Sequence, residues 1–541
     1  MPDTAIARAA REIFGWTTLR AGQSEAIEAL VAGRDAIGVL PTGAGKSAVY
    51  QLAGALRDGL TVVVSPLIAL QDDQVAQLSS APRAARGAVL NSTLGERATA
   101  ELWDELRSGA VGYLFLTPEQ LSKDDVVGAL RDVGVALLAV DEAHCVASWG
   151  HDFRPDYLRL GAVRERLGAP PVVALTATGA EPVRVEVAER LRLVDPAVVV
   201  RGVDRPNIDL TVRRAVTADE KRAAVIAHVS AMTGSGLLYT ATRREAEEYA
   251  ATIAEAGSRV RVYHAGLSRS EREETHRAFL ADEVDLVVAT NAFGMGIDKP
   301  DVRFVTHASV PESLDAYYQE IGRAGRDGDA ADATLFYRQE DLGIRKYFVS
   351  RSVDVDELAA AYSAVAKAGG PLAAKALAAA VDAPPRRVTH LINLLVEGGV
   401  VRVGRRGAVA AAAVSPSEAA ARAAEASERR ERIEQSRLDV MRRYADTRDC
   451  RRRTLLRYFG EDLDAPCGSC DTCRAGTAAE AATDEAGVPF PAGAEVEHTE
   501  WGRGAVSAVE GDRLTVFFEE HGYKTLALDT VIENDLLSRV G

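Results

Sequence analysis

Twice in this chain, short apolar runs of strand length alternate with segments long enough for a crossover helix. The first set is TVVVSPLIAL (61–70), VGYLFLT (111–117), VALLAVDEAH (135–144) and PVVALTAT (171–178). The second is GLLYTAT (236–242), RVRVYHA (259–265), VDLVVAT (284–290) and RFVTHAS (303–309). Continuous apolar runs mark strands buried on both faces, as parallel sheets require. Parallel neighbours need a dozen or more residues of connection, and these intervals supply them. The expected class is α/β, with two tandem parallel sheets covered by helices at 1–201 and 202–342. Sites on such sheets gather at the carboxyl ends of the strands.

The rest of the chain changes character. Residues 343–415 read as helix, turn, helix and two short strands, a winged-helix-like domain. Pro384 and Pro385 start its second helix, and Gly398 and Gly399 end it. The Ala-rich stretch 408–427 reads as a linker running into a helix. Residues 416–475 hold arginine-rich helices and clustered cysteines, and 476–490 read as a linker. Residues 491–541 alternate apolar and polar, as a small β-barrel does.

A net charge of −15 argues against nucleic acid binding unless a local basic surface exists. One candidate is 429–457, with Arg429, Arg430, Arg432, Arg437, Arg442, Arg443, Arg448, Arg451, Arg452, Arg453 and Arg457. Interleaved acids leave a solvated helix face as the other reading. No apolar run is long enough to span a membrane, and the N-terminus lacks a signal-peptide core, so a cytoplasmic protein is expected.

VLPTGAGKS (39–47) sits between an expected strand and an expected helix. Gly43 and Gly45 let backbone amides approach phosphate, with Thr42 between Pro41 and Gly43 in the same loop. Lys46 is placed for the β- and γ-phosphates of ATP, and Ser47 for Mg²⁺. The usual first glycine of this loop is Leu40 here. VDEAH (140–144) ends another apolar strand: Asp141 is the second candidate for Mg²⁺, and Glu142 for polarising the attacking water. QEIGRAGRDG (319–328) supplies Arg323 and Arg326, three residues apart, as candidate arginine fingers from the second α/β domain.

SWGHDFRPDY (148–157) places Trp149, His151, Phe153, Arg154 and Tyr157 within ten residues. Aromatic faces stack on unpaired bases, and an arginine adds phosphate or cation–π contact. The loop directly follows VDEAH, which would let a bound base influence the ATP site. Cys145, between the two motifs, reads as a small buried spacer. Cys450, Cys467, Cys470 and Cys473 have the spacing C-x16-C-x2-C-x2-C. Four thiolates complete a tetrahedron around zinc, which is expected over an iron–sulfur cluster.

Together PTGAGKS, DEAH, LTATG (175–179), VVATNAFGMGIDKPDVRFV (287–305) and QEIGRAGRDG resemble the superfamily 2 helicases. GWTTLRAGQ (15–23), the aromatic loop and the cysteine cluster narrow the resemblance to bacterial RecQ helicases over about residues 10–475. The resemblance implies two RecA-like lobes, with Trp16 stacking on adenine and Arg20 and Gln23 contacting the base. It also implies a structural zinc, and 3′-to-5′ translocation on single-stranded DNA with unwinding of duplex DNA in repair or recombination. The rival readings are an RNA helicase and a DNA-stimulated translocase that does not unwind.

The order of parts departs from many RecQ proteins, since the winged-helix pattern precedes the cysteines. Arg402, Arg405 and Arg406 flank its wing, which could grip duplex DNA or act as a strand-separating wedge, or the module could serve for packing. The end of the chain resembles the Tudor- or SH3-like barrels of some bacterial helicases through Val496, His498, Trp501, Gly502, Gly504 and Val506. Ten acidic against four basic residues over 491–541 favour a protein partner over DNA, with a stability cap as the alternative. The linker's composition predicts few contacts between barrel and motor.

Overall fold

The computed structural model describes residues 5–20, 22–41, 45–66, 68–91, 94–147, 157, 159–293, 299–343, 354–404, 407–461, 463–478, 489–490, 494–510, 512–518 and 521–540. The first sheet has seven strands: β1 (Ala36–Val39), β2 (Leu60–Val64), β3 (Arg86–Leu90), β4 (Val111–Leu116), β5 (Val135–Val140), β6 (Val172–Thr176) and β7 (Ala197–Val200). All pair in parallel, in the order β3-β4-β2-β5-β6-β1-β7. β1, β2 and β6 are buried at every position, which is why they read as unbroken apolar runs.

The second sheet is also parallel, in the order β10-β11-β9-β12-β13-β8. Its strands are β8 (Ile208–Arg214), β9 (Ser235–Tyr239), β10 (Val260–Tyr263), β11 (Leu286–Ala289), β12 (Val302–His307) and β13 (Ala331–Tyr337). β3, β7, β8 and β13 were absent from the sequence reading. β8 is an edge strand exposed at its far end, so its apolar signal is diluted.

Helices Val355–Lys367, Ala374–Val381 and Pro385–Glu397, with the hairpin β14 (Val401–Gly404) and β15 (Gly407–Ala410), form the winged-helix-like module. Its core joins Leu358, Tyr362, Leu377, Leu391 and Leu395 to Ala419 and Ala423. Those alanines belong to a 31-residue helix, Pro416–Asp446. The Ala-rich stretch 408–427 is therefore strand as far as Ala410 and linker only over 411–415; from Pro416 on, small side chains allow close helix packing. The long helix runs from this module to the cysteines.

Three consecutive arginines of the arginine-rich segment are spent on internal contacts. Arg451, Arg452 and Arg453 are all under one-tenth exposed. Arg451 donates to the Tyr444 carbonyl at 2.6 Å and to Asp471 at 2.5 Å. Arg452 reaches the Ile208 carbonyl at 2.8 Å, and Arg453 pairs with Asp449. On the long helix, Arg430 pairs with Glu397 and Glu434, Arg432 with Glu428, and Arg442 with Asp439. Arg452 fastens the zinc module to the second lobe, Arg451 and Arg453 brace that module internally, and Arg429, Arg432 and Arg448 are exposed.

The end of the chain is a five-stranded antiparallel sheet in the order β19-β18-β17-β16-β20. The strands are β16 (Glu495–His498), β17 (Gly502–Glu510), β18 (Arg513–Phe518), β19 (Gly522–Ala527) and β20 (Leu537–Arg539). Its core is Val496, Val506, Leu514, Val516, Phe518 and Val531. Contrary to the linker-based expectation, it is docked on the motor. Phe517 and Tyr523 join one apolar cluster with Tyr458, Phe459, Tyr318 of the second lobe and Ala180 of the first. Gly522, at φ +70°, lies so close to the long helix that a Cβ would stand 2.3 Å from the Ser436 hydroxyl, so only glycine fits.

Candidate active site

The phosphate-loop lysine opens the helix Lys46–Ala55, directly after β1 and Gly45. Gly45 has φ +73°, which turns the chain into the helix. Thr42 and Gly43 lie outside the described residues. Gln23 is buried; its amide donates to the Gly45 carbonyl at 2.9 Å and its oxygen accepts from the Arg20 amide at 2.8 Å. Trp16 is half-buried and stacks on Phe14 with centroids 4.3 Å apart. Thus the GWTTLRAGQ segment is bolted to the back of the phosphate loop, placing both at one end of β1.

Asp141 and Glu142 follow β5, the neighbour of β2, and the Asp141 amide donates to the Val64 carbonyl at 2.8 Å. Glu142 takes φ +49°, a left-handed conformation for a non-glycine residue. Burial pushes the Asp141 carboxyl up to about 7, Glu142 adds to the rise, and Lys46 opposes it. The Glu142 Oε2 atom is buried without a hydrogen-bond partner among the described residues. Two crowded carboxylates beside one lysine, under-compensated in charge, suit a bound divalent cation. Ser47, one residue past Lys46, stands at the same helix start.

His144 links this strand end to the next. Its Nδ1 lies 3.0 Å from the Thr176 hydroxyl and 3.4 Å from Glu142 Oε2. The Thr176 hydroxyl also meets the Thr178 carbonyl at 2.6 Å and amide at 3.2 Å. Thr176 thus joins LTATG to DEAH, a contact that no sequence spacing marks. Cys145 is fully buried, as a spacer would be.

Trp149, His151, Phe153 and Arg154 lie outside the described residues. Tyr157 is described and differs from expectation: it is fully buried, and its hydroxyl donates to the Asp141 carbonyl at 3.3 Å. It anchors the end of the aromatic segment under the ATP site instead of presenting a face to a base.

Arg323 is buried and Arg326 half-buried beyond the helix Leu314–Ile321. Arg323 hydrogen-bonds the Tyr239 hydroxyl, and both arginines offset the upward push of burial on that group. Nearby, Tyr239, Thr240, Asn291, His307, Ser309 and Glu320 line a cleft of about 250 Å³ at the carboxyl ends of the second sheet's strands. Within it, His307 Nε2 lies 2.7 Å from Glu320 Oε2.

Cys450, Cys467, Cys470 and Cys473 bring four sulfurs within 4.8 Å of one another. Cys467 and Cys473 sulfurs are 3.9 Å apart. A tetrahedral zinc with Zn–S near 2.3 Å has S···S edges of about 3.8 Å, so the geometry fits that ion. Backbone amides of Cys467 and Cys470 point at the Cys450 and Cys467 sulfurs at 3.2 and 3.4 Å, as thiolates require.

Two parallel sheets, a lysine-bearing phosphate loop, an acidic pair on an adjacent strand and arginines on the second lobe define a two-lobed ATPase of helicase architecture. Family models agree: DEAD/DEAH box helicase over 20–185, helicase conserved C-terminal domain over 220–328, RecQ zinc-binding over 414–474, and a protein family of unknown function (DUF3553) over 493–532. The chain is 40% identical over 358 residues to the probable ATP-dependent DNA helicase RecS of Bacillus subtilis, covering 66% of this chain and 72% of that one. It is 33% identical over 462 residues to the ATP-dependent DNA helicase RecQ of Pasteurella multocida, covering 85% of this chain and 61% of that one. The chain belongs to the RecQ family of ATP-dependent DNA helicases, with ATP, Mg²⁺ and zinc as its cofactors.

The fold is shared with Mycobacterium smegmatis helicase Lhr bound to single-stranded DNA and AMP-PNP, with a TM-score of 0.50, 20% identity and 80% of this chain and 62% of that one covered. It is also shared with the DUF1998 helicase MrfA bound to DNA, at 0.52, 18%, 77% and 60%. No helix among the described residues is long and apolar enough to cross a membrane.

Proposed function

We propose that this chain couples ATP hydrolysis to 3′-to-5′ movement along single-stranded DNA and separates duplex DNA ahead of it, in repair or recombination within the cytoplasm, at the nucleoid. The observation that carries the reading is the run of neighbours from Lys46 and Asp141 through Glu142 to His144 and Thr176, which gathers the ends of two adjacent strands at the ATP site. The proposed domains are lobes at 1–201 and 202–342, a winged-helix-like domain at 343–415, a zinc domain at 416–475, a linker at 476–490 and a barrel at 491–541.

In this reading Trp16 stacks on adenine, while Gln23 and Arg20 contact the base. Gly43, Gly45 and Thr42 cradle the phosphates, and Lys46 holds their charge. Ser47 and Asp141 would hold Mg²⁺, which neutralises phosphate charge when bound. Glu142 orients the attacking water and accepts its proton. Arg323 and Arg326 reach the γ-phosphate as the lobes close, and each closure moves one lobe along the strand. Trp149, His151, Phe153 and Arg154 stack on and grip the strand, so that DNA stimulates turnover. The barrel's acidic balance favours a protein partner over phosphate.

Strand displacement on duplexes with a 3′ or a 5′ single-stranded tail tests this, with matched RNA alongside. Unwinding only of the 3′-tailed DNA supports the reading. ATP hydrolysis without displacement would make the chain a translocase, and preference for RNA would make it an RNA helicase.

A further inference from the structure

Arg184 stands where four parts of the molecule meet. It lies in the helix Glu181–Arg190, which begins just after LTATG. One guanidinium nitrogen donates both to the Gly179 carbonyl at 2.7 Å and to the Phe459 carbonyl of the zinc module at 3.4 Å. Gly460, at φ +88°, passes so near that a Cβ there would lie 3.7 Å from the guanidinium. Glu181 and Tyr523 of the barrel are close enough to act on its charge. The residue before Phe459 faces the other lobe: the Tyr458 hydroxyl donates to Asp315 at 2.5 Å, and its ring lies 5.9 Å from Tyr523. One short segment, Tyr458–Gly460, thus touches both lobes, with the barrel packed over it.

Gly179 adjoins Thr178, which shares hydrogen bonds with Thr176 and so with His144. Movement at the ATP site reaches the Arg184 contact over a few residues. A rigid connection across both lobes opposes the rotation that would carry Arg323 and Arg326 to the nucleotide.

We propose that Arg184 is a positioning residue that latches the LTATG strand end to the zinc module, a contact braced by the barrel through Tyr523 on Tyr458, and holds the lobes apart until DNA is bound. The latch sets the basal rate: with the link intact, ATP is turned over slowly without DNA, and DNA binding supplies the free energy that breaks it. The proposal rests on the ATP-site assignment above, which fails separately if Lys46→Ala retains turnover.

The test is ATP turnover of the full-length, zinc-loaded protein, without DNA and with saturating single strand. The variants are Arg184→Ala, Tyr523→Ala and the two combined. Each single variant is expected to raise the DNA-free kcat about five-fold, in the range of ordinary coupling energies. The KM for ATP and the DNA-saturated kcat stay as in the parent, and the double variant equals the singles because both break one link. An unchanged or lowered DNA-free kcat in Arg184→Ala, or singles whose effects multiply, would overturn the proposal. Should either alanine variant lose zinc or unfold, Arg184→Met and Tyr523→Leu, which keep bulk but lack the donor and the ring, carry the same comparison.

Discussion

The imidazole Nδ1 of His144 lies 3.0 Å from the hydroxyl of Thr176, and this contact joins the strand ends of β5 and β6 beside the ATP site. Thr176→Val keeps the shape and removes the hydroxyl, leaving His144 and the Thr178 amide without it. The DNA-stimulated kcat is expected to fall about ten-fold, the worth of one buried hydrogen bond, with little change in the KM for ATP. Steady-state kinetics with and without DNA check this.

Gln23 acts on nucleotide binding instead. Its side chain bridges the Gly45 carbonyl and the Arg20 amide, so Gln23→Ala loosens the phosphate loop and, under the proposed function, removes a base contact. A rise of about five- to ten-fold in the KM for ATP is expected from losing hydrogen bonds of this kind, with kcat nearly preserved. Replacing ATP by GTP should matter less in this variant than in the parent.

Asp141 predicts a pH dependence of stability. Its carboxyl titrates near 7 in the nucleotide-free chain and near 3.8 when free of the fold. Between those values the folded state holds a proton that the unfolded state has lost, so stability falls as pH rises from about 4 to about 7 and is flat above. Asp141→Asn removes the buried charge. It is expected to stabilise the apo protein at pH 8 by up to about 4 kcal/mol, a ceiling that sharing with Glu142 lowers, and by nearly nothing at pH 4. Chemical unfolding at the two pH values measures the difference, and added Mg²⁺ should shrink it.

Cys470→Ser leaves three thiolates around the zinc site. Cys470 is buried, and its neighbour Thr472 ties the turn to the Asp449 carbonyl at 2.8 Å. Loss of the ion is expected to unfold the segment 447–475 and, because Arg452, Tyr458 and Arg474 fasten it to the second lobe, to lower the melting temperature of the whole chain. Metal analysis of the parent should find about one zinc per chain.

The two sheets and the ATP motifs were legible in the sequence because their strands are buried on both faces and their loops use residues that phosphate and magnesium demand. Pairings made at a distance were not. Arg451, Arg452 and Arg453 read as surface charge, yet Asp471, the Ile208 carbonyl and Asp449 absorb them; Asp449 stands four residues before Arg453, but no spacing marks the other two partners. Tyr157 looked like part of a stacking loop because composition cannot separate a ring that faces a base from one that supports Asp141. The Ala/Gly-rich stretch before the barrel says how freely a chain bends, not where Tyr523 and Phe517 come to rest.

The central claim is that Lys46 powers strand separation. On a DNA duplex with a 3′ single-stranded tail, the parent protein with ATP and Mg²⁺ is expected to release the displaced strand. Lys46→Ala should bind the same DNA with similar affinity and release none. Equal displacement by parent and Lys46→Ala, or no displacement by a parent that hydrolyses ATP on this DNA, would contradict the account.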